Sequence, residues 1–170
     1  MFVYVKNRFK GFSQKSFVFS ENGEKLLLIK GKMVSLSNKT ELCDLNGNKV
    51  FTIKNKAFPI FKNCAYIYDE LGDKKKLLCK IKTLRGKFFK VTKCEYPITI
   101  NGRLDEGITI SFDNEEVAYF EEADFEEKSL ISNSFELEIN EEADFEYLSV
   151  ALLSAIVIAI DGLILRINSK

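Results

Sequence analysis

The residues best placed to do chemistry in this 170-residue chain are lysines that come in doublets. Lys30 and Lys32, Lys54 and Lys56, and Lys80 and Lys82 each stand two apart, and the doublets recur about every 24 residues. Residues two apart on an extended chain share a face, so each doublet puts two ammonium groups on one side of a strand. Such an arrangement attracts anions such as phosphate, carboxylate or the headgroups of acidic lipids.

Other chemistries find little support. The chain has no His, which removes the usual zinc patterns and every mechanism that needs an imidazole. Cys43, Cys64, Cys79 and Cys94 are scattered, with no C-x-x-C pair. The opening stretch MFVYVKNRFK lacks the long apolar core of a secretory leader. The expectation is therefore a cytoplasmic chain with four reduced cysteines. EEADFE occurs twice, at Glu121–Glu126 and Glu141–Glu146, without the oxygen spacing and central glycine of a calcium loop. The first copy falls in a loop. The second follows Asn140, read as an N-cap, and sets Glu141, Glu142 and Asp144 in a first helical turn, where the helix dipole favours anions. No metal, cofactor or catalytic residue is indicated. Were the chain an enzyme, Asp161 beside an apolar helix would be the group to inspect. The simpler reading makes Asp161-Gly162 the stop of that helix.

The formal charge of zero conceals a division. Residues 1–95 carry 21 basic against 8 acidic side chains, and residues 96–170 carry 4 against 17. Either the basic half serves an anionic partner, or the two halves complement one another.

The elements that must position the lysines are short strands. Ser20–Glu24, Asp44–Asn48 and Asp69–Asp73 are turn phrases, the first two containing Asn-Gly, which suits a type I′ hairpin with positive φ at both central residues. Aromatic or apolar pieces precede the turns (Phe17–Phe19, Leu42–Cys43, Tyr66–Tyr68). Longer ones follow (Lys25–Lys30, Lys49–Lys54, Lys76–Lys80). Their alternation puts Leu27, Ile29, Phe51, Ile53, Leu77, Cys79 and Ile81 inside, with Val18, Leu42 and Ile67, and leaves the lysines, Phe17, Phe19, Tyr66 and Tyr68 outside. Further strands lie over Lys87–Lys93 and from Tyr96 to Ile139, with Asn101-Gly102 and Asp113–Glu115 as turns. Consecutive hairpins make a meander, and closing it removes exposed edges.

The run Tyr147–Ile160 is apolar on every side, so it must be buried. Its fourteen residues fall short of the ~20 that a membrane span needs. The interior of the barrel is the better destination. The expected fold is mainly β: one domain over residues 1–170, a closed antiparallel barrel of about twelve strands (about 2–139) around a central hydrophobic C-terminal helix (about 141–160).

The repeated phrases, K-x-K with an apolar stretch, an aromatic strand and D/E-x-N-G-x, together with Ala155-IVIAI-Asp161, resemble the LURP-one-related family, relatives of the Tubby C-terminal domain. The resemblance implies a twelve-stranded antiparallel barrel wrapped around a hydrophobic helix. Tubby domains bind phosphoinositides through basic side chains on the outer face, and the lysine doublets are similar in kind. The cysteine-rich palmitoylation segment of the related phospholipid scramblases is not visible here. The functional expectation is a non-enzymatic binding or scaffold domain, cytoplasmic and peripheral to membranes, that contacts anionic phospholipid or a phosphoinositide-like headgroup through Lys30, Lys32, Lys54, Lys56, Lys80 and Lys82. A protein-interaction or structural module bound to an unknown partner is the alternative, and an enzyme is less favoured. No nucleic-acid partner is indicated.

Overall fold

The computed structural model describes residues 1–6, 14–31, 37–56, 64–70, 75–84, 88–103, 105–122, 134–141 and 149–167, with the side chains at 14, 37, 38, 56, 84, 134 and 165–167 outside the description. Twelve strands precede one helix: β1 Phe2–Lys6, β2 Gln14–Ser20, β3 Lys25–Gly31, β4 Ser37–Cys43, β5 Lys49–Lys56, β6 Cys64–Asp69, β7 Lys76–Leu84, β8 Phe88–Cys94, β9 Ile98–Arg103, β10 Gly107–Phe112, β11 Glu115–Glu122, β12 Ser134–Ile139 and α1 Val150–Ile167. Each strand pairs antiparallel with the next, and β1 pairs with β12 to close the ring. The closed meander expected from the hairpin spacing is the observed fold.

The first two repeat turns are built differently from the expected type I′ geometry. Gly23 and Gly47 have positive φ, but Asn22 and Asn46 do not. The Gly23 N–H donates to the Ser20 carbonyl and the Ser20 N–H to the Glu24 carbonyl, and Gly47 and Asp44 repeat the pattern with Asp44 and Asn48. These are three-residue loops closed by a glycine bulge. Ser20 Oγ and Asp44 Oδ1 each accept the N–H four residues on. The two-residue turn with positive φ at both positions occurs instead at Asp113-Asn114. Asn101-Gly102 is not a turn but lies within β9, where Gly102 lets the Gly107 backbone approach.

A bulge follows the turn in each early hairpin. The register slips by one residue between β2 and β3, β4 and β5, and β6 and β7, leaving Leu26, Val50 and Leu78 as the extra residues. Bulges increase twist and curvature, which closing a barrel requires. They also flip the face of the residues beyond them. Leu77, expected inside, therefore pairs with outward-facing Tyr68, and Leu78 is buried in its place. Val18, Ile29, Leu42, Phe51, Ile53, Ile67, Cys79 and Ile81 are buried as their alternation implied, and Leu27 packs against them.

The helix is the core. Every residue from Leu152 to Asp161 is buried, which requires wall on all sides. It packs mainly on β5 and β6, with further contacts to β1, β4 and β7. Its start is capped by Ser149, whose hydroxyl oxygen accepts the Leu152 N–H at 3.3 Å. Asn140, expected to be the N-cap, belongs to the barrel rim and donates its N–H to the Val117 carbonyl. Glu141 is in a turn, and Glu142 and Asp144 lie outside the described residues. The other end also differs from expectation: the helix runs through Asp161-Gly162 to Ile167. Gly162 has no positive φ and so does not terminate it. Its missing side chain instead leaves room for Asn55 from β5.

The cysteines depart from the reduced state expected of all four. Cys79 on β7 and Cys94 on β8 are direct cross-strand partners, with Cα atoms 4.1 Å apart, and form a disulfide. Cys43 and Cys64 are free and buried.

Candidate functional site

The barrel's outer face collects the lysines more densely than their spacing along the chain suggested. Across β4 to β8, the register aligns Lys39, Lys54, Tyr66, Lys80 and Lys93 in one continuous row. A step along β7 and β8, Lys82 stands opposite Lys90, and on β2 and β3 Lys15 stands opposite Lys30. Four directly opposed Lys–Lys pairs result: Lys15–Lys30, Lys39–Lys54, Lys80–Lys93 and Lys82–Lys90. Like charges directly opposite on a sheet destabilise it. The fold alone therefore has no reason to place them so.

Of the doublets read from the sequence, Lys54 and Lys80 are brought together, one on each side of Tyr66, and Lys82 adjoins them. Lys30 is separated from that row, because its partner on β4 is Glu41. Lys56 ends β5 with its side chain outside the description, and Lys32 lies outside the described residues. The sequence reading missed Lys15, Lys39, Lys90 and Lys93. For Lys39 and Lys90 the signal was present in strand phase, since Lys39 shares the phase of Glu41 and Lys90 that of the outward Phe88, whereas Lys93 joins the row only through the register shift between Lys80 and Ile81.

Aromatic rings fill the gaps between ammonium groups. Tyr66 and Tyr68 stack at 6.5 Å. Lys80 Nζ lies 5.3 Å from the Tyr66 centroid, and Lys54 and Lys75 approach Tyr68 at 5.4 and 4.9 Å. Lys6 covers Phe19 and Lys25 covers Phe17 in the same way. These cation–π contacts hold the ammonium groups near the wall without neutralising them.

Among the described residues, carboxylates neutralise the row only at its β4 end, at Lys39, and otherwise pair with lysines beside it. Glu41 is paired with Lys39 and Lys49, Glu70 with Lys75, and Glu95 with Lys76. Partial burial by itself raises the Glu41 carboxyl, but hydrogen bonds from Lys39 and Lys49 more than offset it and hold the group below the usual carboxylate range. Glu70 follows the same pattern: burial raises it, and Lys75 and Thr52, whose hydroxyl donates at 2.5 Å, hold it low. Among the described residues, no carboxylate pairs with Lys15, Lys30, Lys54, Lys80, Lys82, Lys90 or Lys93. Nor, among them, does any ion pair join a Lys or Arg side chain of residues 1–95 to a carboxylate of residues 96–170.

The acidic half forms its own side. Glu121 on β11 stands opposite Glu136 on β12, and Tyr119 opposite Glu138. The Tyr119 hydroxyl donates to Glu121 at 3.0 Å, which pushes that phenol's pKa up, with burial assisting. Burial, then the Glu136 charge, raises Tyr4 on neighbouring β1. In the ring of twelve, β12 is six places from β6, so the acidic strands face away from the lysine row. The sequence division is thus a division between sides of the barrel.

A cleft of 430 Å³ lies on the acidic side, bordered by Met1, Glu116, Tyr119, Glu138 and Glu141. Among the described residues no three His, Cys, Asp or Glu side chains are grouped to hold a metal. Among them, no helix is long and apolar enough to cross a membrane. Asp161 is buried within the barrel, away from the cleft.

No curated protein and no solved structure matches the chain. A family model described as LURP-one-related matches residues 1–161, nearly the whole length. The closed twelve-stranded barrel filled by a hydrophobic helix is consistent with the Tubby-like superfamily. By the extent of that match, the chain belongs to the LURP-one-related family.

Proposed function

We propose that the protein is a non-enzymatic binding domain whose basic outer face contacts anionic phospholipid, peripherally to the membrane. The observation that carries this reading is the set of four opposed Lys–Lys pairs. A lysine-rich surface often guards a sheet edge against stray pairing. A closed barrel has no edge to guard, so that explanation does not account for the row. An anionic surface would remove the mutual repulsion of the lysines and draw about 1 kcal/mol from each at low salt. The row spans five strands, roughly 20 Å at ~4.8 Å per strand, which suits an extended charged surface better than a single small anion.

Co-sedimentation with phosphatidylserine-containing vesicles at low and high salt tests the reading. Binding that weakens steeply with salt is expected, because exposed charges are screened beyond ~10 Å at 0.1 M. No binding at low salt would sink it. Glu121 opposite Glu136 favours a second reading, in which a basic protein partner docks on the acidic side. Light scattering across salt concentrations checks whether a second copy, through its own lysine face, is that partner.

A further inference from the structure

We propose that the bilayer contact includes one inserted side chain, Phe88, at the rim where β7 ends and β8 begins. This rests on the anionic-surface reading and specifies the orientation in which the barrel meets the lipid.

Three large apolar side chains are exposed among the described residues: Met1, Leu45 and Phe88. Phe88 is the one aromatic among them, 47% exposed at the start of an outer-face strand. Next to it along β7 and β8 come the Lys82–Lys90 and Lys80–Lys93 pairs, so the rim reads apolar, basic, basic going up the wall. Successive outer-face positions are ~7 Å apart, which places the first lysine pair at headgroup depth when the ring enters the interface. Charge attraction alone gives loose, salt-sensitive association, and an added apolar contact is what makes peripheral binding hold. Leu45 is the built-in contrast. It sits in the turn after β4, at the opposite end of the barrel from the β7–β8 connection, because odd and even strands run in opposite directions.

The chain contains no Trp, so Phe88→Trp and Leu45→Trp each create a single reporter. Each variant is checked for the native circular dichroism spectrum and then mixed with phosphatidylcholine vesicles with and without phosphatidylserine. The expected result is a blue shift and quenching by brominated lipid for Phe88→Trp with anionic vesicles only, and neither for Leu45→Trp. Phe88→Ala should weaken vesicle binding about tenfold. If the unaltered chain co-sediments with anionic vesicles but Phe88→Trp stays unshifted, the insertion is wrong and the anionic-surface reading stands. Equal shifts at both positions overturn the orientation. A shift that does not require phosphatidylserine shows that charge is not what brings Phe88 to lipid and also overturns the proposal. Failure of the unaltered chain to bind at low salt removes both readings.

Discussion

A β-carbon added at Gly162 would stand 1.5 Å from Nδ2 of Asn55, so helix and wall meet here with no space for a methyl group. Asn55 is itself buried on β5 and has little room to retreat. Gly162→Ala should destabilise the protein by about 1–3 kcal/mol, the usual cost of overpacking, despite Ala's better helix propensity. Combining it with Asn55→Ala should recover part of that loss. Urea unfolding of the four proteins in a double-mutant cycle checks this, and zero coupling would refute the contact.

The middle of the helix permits no charge. Ala155 is fully buried, and a carboxylate there would have no partner. Ala155→Glu should prevent folding rather than release a membrane anchor. Soluble mutant protein with a cooperative thermal melt would show that the helix does not fill the barrel.

Lys93 is exposed and directly opposite Lys80, which makes it a place where binding and stability should separate. Lys93→Glu converts a repulsive pair into an attractive one, and is expected to stabilise the fold by ~0.2–1 kcal/mol. The same change reverses one charge in the row and should weaken binding to anionic vesicles by roughly tenfold or more. A raised urea midpoint with weakened co-sedimentation is the expected pair of results. Unchanged binding would show that the row is only a solvated surface.

Acid should act through Glu41. The lysines hold its folded pKa below the unfolded value, so its contribution to stability is present at neutral pH and is lost as pH falls from about 5 through the depressed folded value. Glu41→Gln, which removes the titrating group, should therefore flatten the dependence of the urea midpoint on pH in the acid range. A mutant that loses stability with acid as steeply as the parent would show that Glu41 does not govern that limb.

The inside-outside pattern was legible because alternation within a strand is a local property: Val18, Ile53 and Ile67 follow from it directly. Leu77 did not, because a bulge shifts phase through the partner strand, and nothing within Lys76–Lys80 records it. The same reason hid the Cys79–Cys94 pairing and the opposed lysines, which exist only once strands β7 and β8 take register. Of the candidate site, the sequence yielded Lys54, Lys80 and Lys82 but not Lys39, Lys90 or Lys93. The Asp161-Gly162 reading failed for another cause. Glycine is a common helix stop, yet here its small size serves contact with Asn55, a tertiary reason that no local rule contains.

The order of the elements along the chain carries a consequence for synthesis. Eleven of the strand pairings join neighbours in sequence and can form as each hairpin emerges, but β1 closes on β12 across a gap of 138 residues, where the Met1 ammonium meets the Ile139 carbonyl. The helix emerges later still. Until then the growing sheet exposes Val18, Leu42, Ile53 and the rest of its apolar inner face with nothing to cover it. Nascent protein is thus most prone to aggregate when its wall is nearly complete, and emergence of the helix, not hairpin formation, sets when it becomes safe.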